Sequence, residues 1–371
     1  MKIICSKSSL LKSVSIALKA VPSKTTMPIL ECILMDATTN QIKFTTNDME
    51  LGIETIVDGT IEEKGKVALD AKIFYEIIRR LPDNDITIRT DDKYSATITC
   101  EKAKFNIPGK SGEDFAYLPM IEKDEPLTIS QYTLKEMIRQ TIFSIAVNEN
   151  NKLMTGELFE IKDNCLKVVS LDGHRIAIRK MPLKREYSER KVVVPGKTLS
   201  EVSKILSGEV DDQVSIYFTK NHILFEFDQT MVVSRLIEGE YFRIDQMLSS
   251  DYETKLKINK KEFLDCIDRA TLLVREVDKK PIIINITDDD MELRIDSAMG
   301  SMDENIDIIK EGKDILIGFN PRFLIDALKV IDDETISIYL VNPKAPCFIR
   351  DDDENYTYLI LPVNINQNQT R

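Results

Sequence analysis

The sequence is poor in the residue types from which catalytic sites are usually built. Its 371 residues include two histidines, His174 and His222, and no tryptophan. There is no Walker-type phosphate loop and no GxGxxG motif, and no serine or cysteine nucleophile motif accompanies His174. These absences argue against nucleotide hydrolysis and against general acid–base catalysis, and we expect a non-enzymatic protein without a cofactor.

Metal-binding motifs and long apolar runs are also missing. The six cysteines are scattered without a CxxC pair, which argues against a zinc site or a disulfide framework and favours a reducing cytoplasm. Aspartate clusters at 91–92, 288–290 and 351–353 lack the spacing of a calcium loop. No apolar run reaches the roughly 18 residues of a membrane span, and lysines interrupt the N-terminal run before it reaches signal-peptide length. We expect a cytoplasmic protein with no metal site and no membrane association.

Composition is that of a soluble globular protein with two or three domains. Hydrophobic residues make up 43% of the chain and charged residues 30%. The net charge of −12 makes a nucleic-acid partner less expected from composition alone. It does not exclude one, because the placement of the 50 basic side chains matters more than the total.

One pattern occurs three times at a spacing of 125 residues. In each copy a short apolar run meets a turn, and an amphipathic helix follows. The charged residues of the three helices align as a basic–acidic–basic ladder at i, i+4 and i+7, so neighbouring charges can pair. The ladders are Lys72, Glu76 and Arg79; Lys197, Glu201 and Lys204; and Arg322, Asp326 and Lys329.

The repeat extends beyond this helix on both sides. Each copy begins with another amphipathic helix, predicted at residues 9–21, 133–147 and 261–274. Strand pairs follow, predicted at 33–36 with 42–46, 158–162 with 166–170, 282–287 with 292–295, 85–89 with 97–101, 214–218 with 223–227, and 335–340 with 347–350. About eight strands and two helices per copy predict an α+β fold of antiparallel sheets with helices on one face. We expect domains at 1–124, 125–250 and 251–371.

Several segments resemble a known family in their order and spacing. They are KTTMPILECILMDA at 24–37, TTNDMELGIET at 45–55, LDGHRIAI at 171–178, VVVPGKTL at 192–199, SRLIEGEYF at 234–242, GFNPRFLIDALKVI at 318–331 and YLILPV at 358–363. Taken together, they resemble the bacterial sliding-clamp family, the beta subunits of the replicative DNA polymerase, over the whole chain. The resemblance implies three repeated DNA-clamp domains with antiparallel sheets outside and helices lining a pore, and two chains joined head to tail as a homodimeric ring.

The same resemblance implies a function and partners. The ring would encircle double-stranded DNA without sequence preference and confer processivity on the polymerase. Partners would be the DNA polymerase III alpha subunit, the clamp loader, and other polymerases and repair proteins, each docking through a short clamp-binding peptide. Basic residues expected near DNA are Lys24, Arg79, Arg80, Lys135, Arg139, Lys197, Lys204 and Lys329, with Lys12 and Arg269 as further candidates.

Two further surfaces are implied residue by residue. The peptide groove would consist of Met154, Leu171, Gly173, His174, Arg175, Ile176, Phe242, Met247, Leu361, Pro362 and Val363. The dimer interface would bring Leu272 and Leu273 of one chain against Ile78, Phe105 and Ile107 of the other. Independently, the apolar stripe of the helix at 261–274 leaves Leu272 on its outer face, which indicates a contact surface.

The chain departs from the family pattern around the groove. Residues 241–244 are Tyr-Phe-Arg-Ile instead of the usual Phe-Pro-Asp-Tyr, Gln246 stands where a basic residue is common, and the ending Leu-Pro-Val-Asn at 361–364 is followed by a polar tail of open function. The resemblance therefore does not carry the family's peptide preference over to this chain. The alternative interpretation is a repeat-built scaffold or enzyme that uses the loop 173–175 as its site.

Overall fold

The computed structural model describes residues 1–147, 151–248, 251–274, 280–288, 290–351 and 353–365. Of the polar tail, only Ile365 belongs to the described residues, as do the two ends but not the middle of the clusters 288–290 and 351–353. Within these residues, no helix is long and apolar enough to cross a membrane.

Residues 1–124 form ten strands and two helices. In chain order they are β1 (Lys2–Ser6), α1 (Lys7–Ala17), β2 (Cys32–Asp36), β3 (Ile42–Asn47), β4 (Leu51–Val57), β5 (Thr60–Glu63), β6 (Lys66–Asp70), α2 (Ala71–Arg80), β7 (Asp85–Thr90), β8 (Ala96–Cys100), β9 (Ala103–Ile107) and β10 (Gly109–Ser111). The described part of residues 125–250 continues with β11 (Leu127–Ser130), α3 (Gln131–Thr141), β12 (Gly156–Lys162), β13 (Cys165–Leu171), β14 (Arg175–Pro182), β15 (Arg190–Pro195), α4 (Gly196–Ile205), β16 (Gln213–Phe218), β17 (His222–Phe227) and β18 (Thr230–Arg235).

The described part of residues 251–371 adds nine strands and two helices. They are β19 (Thr254–Asn259), α5 (Lys260–Thr271), β20 (Ile282–Thr287), β21 (Asp290–Ser297), β22 (Gly300–Asp307), β23 (Ile309–Gly312), β24 (Ile315–Phe319), α6 (Pro321–Val330), β25 (Thr335–Leu340), β26 (Cys347–Arg350) and β27 (Tyr356–Ile360). Every predicted strand is present with bounds that differ by at most two residues. Among the strands that the sequence did not delimit, β5 and β10 are short and polar and carry little apolar alternation.

Each predicted first helix of a repeat begins one or two residues earlier than the sequence pattern indicated. The reason is a side-chain cap just before the helix, where an oxygen accepts a hydrogen bond from a free backbone N–H group. Ser6 caps α1, Ser130 accepts from the Thr133 N–H at the start of α3, and Asn259 caps α5. The helices also end earlier than predicted, because 3-10 turns at Leu18–Ala20 and Ile142–Ser144 follow α1 and α3.

The chain folds into two compact units, each with its own sheets and core. Unit 1 consists of Met1–Lys135 and Lys197–Leu236, and unit 2 of Glu136–Gly196 and Ile237–Arg371. Unit 1 holds a five-stranded sheet, β5-β1-β7-β8-β9, and a nine-stranded sheet, β10-β6-β2-β3-β4-β18-β17-β16-β11. Unit 2 holds a nine-stranded sheet, β15-β12-β13-β14-β27-β26-β25-β19-β23, and a four-stranded sheet, β22-β21-β20-β24. All pairings are antiparallel.

The two units differ from the three repeats because strands of the middle repeat contribute to both large sheets. In unit 1, β18 pairs with β4 of the first repeat. In unit 2, β14 pairs with β27 of the third repeat. We call these two strand pairings the first joint and the second joint. Each joint makes one continuous sheet out of strands from two successive repeats.

The helices pack their apolar faces against the sheets, as the repeat predicted. In unit 1, Phe74 of α2 meets Phe44 of β3 edge to face, with ring centroids 6.1 Å apart. In unit 2, Phe263 of α5 and Leu324 of α6 are buried in one core. Three apolar positions of each of the three ladder helices also coincide at the spacing of 125 residues. All nine are buried, namely Phe74, Ile77, Leu81, Leu199, Val202, Leu206, Leu324, Ala327 and Ile331.

Candidate binding surfaces

The turn between β13 and β14 carries the residues 173–175 in a fixed conformation. The Asp172 carboxylate accepts hydrogen bonds from the backbone N–H groups of His174 at 3.0 Å and Arg175 at 3.2 Å. Gly173, between Asp172 and His174, has φ +86°, a left-handed angle that glycine adopts without a Cβ penalty. As a result the side chain of His174 is exposed, whereas that of Arg175 turns inward.

Arg175 is a buried structural residue instead of a wall of the groove. Its guanidinium donates to Asp172 at 2.9 Å, to Asp326 of α6 at 2.7 Å and to the Phe143 carbonyl at 2.7 Å. It also lies 4.3 Å from the ring centroid of Phe323, within cation–π distance. Only 9% of the side chain is exposed. Arg175 therefore fixes the turn and leaves the neighbouring side chains to form the surface.

Four of the predicted groove residues belong to one apolar cluster in unit 2. Leu171 and Ile176 are buried, and the half-buried Met154 and Phe242 pack against the same cluster. The structure also places there a set of residues that the resemblance did not provide: Leu153, Ile237, Tyr241, Ile244 and Leu248. Most of these lie in the connection 237–248, and its apolar spacing was the only signal that could have identified them.

β27 contributes Leu359 to this cluster and ends at Ile360, directly before Leu361. Ile176 of β14 is paired with Leu359 of β27, and the Leu361 N–H donates to the His174 carbonyl at 2.9 Å. The Val363 N–H then donates to the Gly318 carbonyl at 2.8 Å. Leu361 and Val363 are each 39% exposed, and Pro362 lies between them. Met247, 55% exposed, ends the 3-10 turn Ile244–Met247, whose Ile244 is buried in the same cluster.

Most of the basic side chains predicted to lie near DNA in unit 1 have an acidic neighbour. Glu76 of α2 is 2.8 Å from Arg79 and 2.9 Å from Arg80, and the hydrogen bond from Arg79 lowers the pKa of this carboxylate. Lys204 pairs with Glu201 at 2.8 Å, and Lys197 pairs with Asp48.

Three more basic residues of unit 1 complete this set. The Lys135 ammonium donates to the Leu206 carbonyl at 3.2 Å, beyond the end of α4. Lys24 is exposed in the connection between α1 and β2, and Lys12 is exposed on α1.

In unit 2 the ladder of α6 is used differently. Asp326 pairs with Arg175, whereas the corresponding Glu76 and Glu201 pair along their own helices. Lys329 is exposed on the same helix.

Arg139 of α3 contacts both Glu136 at 2.5 Å and Asp332 at 2.7 Å. Arg269 of α5 pairs with Glu304 of β22 and is 2.9 Å from it through Nε. The basic side chains are therefore interspersed with acids in both units.

Four of the five predicted dimer residues lie on the edge strand β9 or directly after α5. Phe105 is 41% exposed on β9, the edge strand of the five-stranded sheet, and Ile107 of the same strand is half-buried. Leu272, at the end of α5, is 76% exposed, and Leu273 is half-buried against the unit 2 core. Ile78 differs from the expectation. Its side chain is fully buried in the unit 1 core and offers no contact surface, because it faces inward on α2 beside Phe74.

Neither histidine is arranged for catalysis. The His174 ring stacks on Phe323 with centroids 6.1 Å apart. His222 begins β17, and burial together with the nearby Arg235 lowers its pKa. Across the described ranges, no group of three or more His, Cys, Asp or Glu side chains is placed to hold a metal ion.

Comparison with known proteins matches the chain along its length. Three family models match successive segments: the N-terminal domain of the DNA polymerase III beta subunit at residues 1–119, its central domain at 128–242 and its C-terminal domain at 245–364. A beta sliding clamp of Staphylococcus epidermidis is 35% identical, over 93% of this chain and 94% of that protein. A beta sliding clamp of Staphylococcus aureus is 33% identical over the same shares.

Solved structures agree with this result. A crystal structure of a protein from Eubacterium rectale is 69% identical with a TM-score of 0.96, covering 98% of this chain and all of that one. The DNA polymerase sliding clamp of Bacillus subtilis is 34% identical with a TM-score of 0.95, over 99% of this chain and all of that one. The molecule thus has the three-domain clamp fold of antiparallel sheets and few helices. The chain belongs to the DNA polymerase III beta subunit family, the bacterial beta sliding clamps.

Proposed function

We propose that this chain is a non-catalytic processivity clamp: two copies close head to tail around duplex DNA and tether the replicative polymerase. The observation that carries the proposal is the succession of three family domains over one chain with the same charged ladder on each repeat. Retention by encirclement needs no strong contact, so the ring can hold DNA and still move along it. We place the domains at 1–124, 125–250 and 251–371, and the protein in the cytoplasm.

The charges on the helices suit a surface along which DNA slides. Lysine and arginine attract phosphates without reading sequence. The attraction weakens as the salt concentration rises, because the release of counterions from DNA then contributes less free energy. The ion pairs of Arg79, Arg139 and Lys204 with acidic neighbours keep each phosphate contact shallow. We assign the DNA-facing role to Lys24, Arg79, Arg80, Lys135, Arg139, Lys197, Lys204 and Lys329.

Ring closure is proposed between β9 of one chain and β22 of its partner. Both are edge strands whose outer backbone groups can accept a further strand. Phe105 and Ile107 would meet Leu272 and Leu273 there, while the buried Ile78 is left out. Charge supports the pairing, because β9 carries Lys104 and β22 carries Asp303 and Glu304.

The apolar cluster with Leu361 and Val363 is proposed as the docking groove for short peptides of partner proteins. These partners are the DNA polymerase III alpha subunit, the clamp loader, and other polymerases and repair proteins. Met154 and Met247 favour a shared site, because methionine side chains adapt to differently shaped ligands. The alternative of a scaffold or enzyme at the loop 173–175 is not supported, since Arg175 is buried in structural contacts and His174 stacks on Phe323.

Size-exclusion chromatography with light scattering tests the assembly. A dimer should elute with twice the chain mass of 42.4 kDa. Addition of the cognate loader, ATP and a nicked plasmid should then transfer the dimer to the DNA fraction. A chain that stays monomeric over the micromolar range and never enters that fraction would contradict the proposal.

A further inference from the structure

The first and second joints have the same local geometry. At the second joint, the Asp172 carboxylate accepts from the N–H groups of His174 and Arg175, around Gly173 at φ +86°. At the first joint, the Asp48 carboxylate accepts from the N–H groups of Glu50 at 3.0 Å and Leu51 at 2.7 Å, around Met49 at φ +75°. The two turns thus correspond at a spacing of 124 residues.

The strands that follow these two turns differ at a position that belongs to the groove cluster at the second joint: Gly52 of β4 stands where β14 has Ile176. Leu359 of β27 is paired with Ile176, whose side chain belongs to the groove cluster. Val233 of β18, in the corresponding place, is paired with Gly52. A Cβ atom at Gly52 would overlap the side chain of Leu118. β4 at the first joint corresponds to β14 at the second joint, where Ile176 belongs to the groove cluster. Leu118 therefore occupies, at the first joint, the space that corresponds to the proposed peptide groove at the second joint.

Leu118 comes from a connection that has a counterpart at the second joint. Residues 112–121, GEDFAYLPMI, align with residues 239–248, GEYFRIDQML. This alignment matches Leu118 with Asp245. Leu118 packs on an apolar cluster of Tyr217, Leu224 and Val233, whereas the Asp245 side chain is 82% exposed. At corresponding positions, the connection at the first joint directs a leucine side chain inward, and the connection at the second joint leaves an aspartate side chain exposed.

We propose that Leu118 is a built-in plug of the first joint and a specificity-determining residue that limits each chain to one peptide groove. The inference rests on the proposed peptide binding at the second joint. What remains open beside Leu118 is a cavity of about 180 Å³, lined by polar residues such as His222 and Arg235 as well as Met49 and Tyr117. Removal of the leucine side chain uncovers the apolar faces of Leu224 and Val233, and the joint then offers an apolar depression of the kind that binds hydrophobic peptide side chains.

Isothermal titration with a synthetic peptide that carries a glutamine, two leucines and a phenylalanine tests this inference. The full chain should bind one peptide, and Leu118→Ala should bind two, the second more weakly. Met120→Ala is the matched control, because Met120 lies in the same connection and is fully exposed. Combining Leu118→Ala with Leu361→Ala and Val363→Ala should keep the new site and weaken binding at the original one by roughly tenfold or more.

A second variant reaches the same contact without shortening Leu118. Gly52→Ala places a methyl group where the flexible end of Leu118 lies, so the leucine must rotate out of the joint. It should also bind a second peptide. One peptide per chain for both variants, with circular dichroism like that of the unchanged protein, would overturn the plug. No peptide bound by the unchanged protein would instead contradict the proposed groove, so the two failures are distinguishable.

Discussion

Asp326 of α6 forms an ion pair with Arg175 of β14 across a distance of 2.7 Å. The ladder position of Asp326 is occupied in the other two repeats by Glu76 and Glu201, which form ion pairs with basic side chains of their own helices. In the third repeat the carboxylate instead ties a helix to the turn that presents His174. One ladder position thus has two structural uses, and the difference follows from the presence of an arginine at the second joint.

Asp326→Asn should destabilise unit 2. The buried guanidinium of Arg175 would lose one of its two carboxylate partners and keep Asp172. Because Asp326 is 40% exposed, a loss of about 1 to 2 kcal/mol is expected. Urea unfolding followed by circular dichroism measures it. Lys329→Gln, an exposed change on the same helix, should stay within about 0.5 kcal/mol. Equal unfolding midpoints for both variants would contradict a structural role of the pair.

The double change Leu272→Ala and Leu273→Ala should weaken the dimer. Burial of a leucine contributes about 1.5 to 3 kcal/mol, and Leu273 is already partly covered in its own chain, so we expect dissociation at a concentration at least about tenfold higher. Sedimentation velocity over a dilution series gives the dissociation constant. Ile309→Ala, an exposed change on β23, is the control and should leave that constant unchanged. The proposed interface is wrong if both proteins dissociate alike.

Leu361→Ala with Val363→Ala should lower peptide affinity while the dimer persists. Both side chains are partly exposed at the groove, and the backbone hydrogen bonds of these residues to His174 and Gly318 are retained after the change. Loss of two apolar contacts of about 1 kcal/mol each should weaken binding by roughly tenfold or more. Fluorescence anisotropy of a labelled peptide measures this affinity. Unchanged affinity would place the peptide elsewhere.

Glu157 gives the stability of unit 2 a dependence on pH. Its carboxyl is fully buried on β12, and burial raises its pKa well above the usual value, an effect that the nearby Thr141 hydroxyl only partly offsets. The folded state therefore binds a proton more tightly than the unfolded state. Stability is present below the unfolded pKa of about 4.3 and declines as pH rises toward the folded pKa.

Glu157→Gln should remove this decline, because an amide cannot ionise. The variant should gain stability relative to the unchanged protein by up to about 1.4 kcal/mol per pH unit above pH 5, with the smallest difference near pH 4. Thermal unfolding at a series of pH values gives the comparison. Glu160→Gln, on the same strand, is the control. Parallel stability curves for Glu157→Gln and the unchanged protein would show that Glu157 is ionised in the fold.

The repeat allowed most of the fold to be predicted from sequence, because periodic apolar residues specify which helix face is buried. The spacing of 125 residues aligns Phe74, Leu199 and Leu324, and all three are buried. The sharing of the middle repeat between two large sheets could not be predicted in this way. It depends on pairings such as β4 with β18, between residues more than 170 positions apart, which local periodicity does not encode.

The candidate sites were predictable only in part. The resemblance supplied the groove residues, but it could not show that Arg175 turns inward, since burial depends on Asp326 and the Phe143 carbonyl. The resemblance implies an interface role for Ile78, whereas its side chain belongs to the unit 1 core. Successive residues of a helix point in directions about 100° apart. An uncertainty of one residue in which positions face the core therefore decides whether a side chain is buried or exposed.

Encirclement of DNA is tested most directly by cutting a circle that carries the protein. The dimer is loaded with its cognate loader and ATP onto a nicked plasmid, freed of unbound protein at high salt, and the plasmid is then linearised at one restriction site. Our account predicts that gel filtration finds the protein with the intact nicked circle, and that linearisation releases it because the ring slides off the ends. Equal retention on both DNA forms, or equal loss from both, would contradict a topological hold.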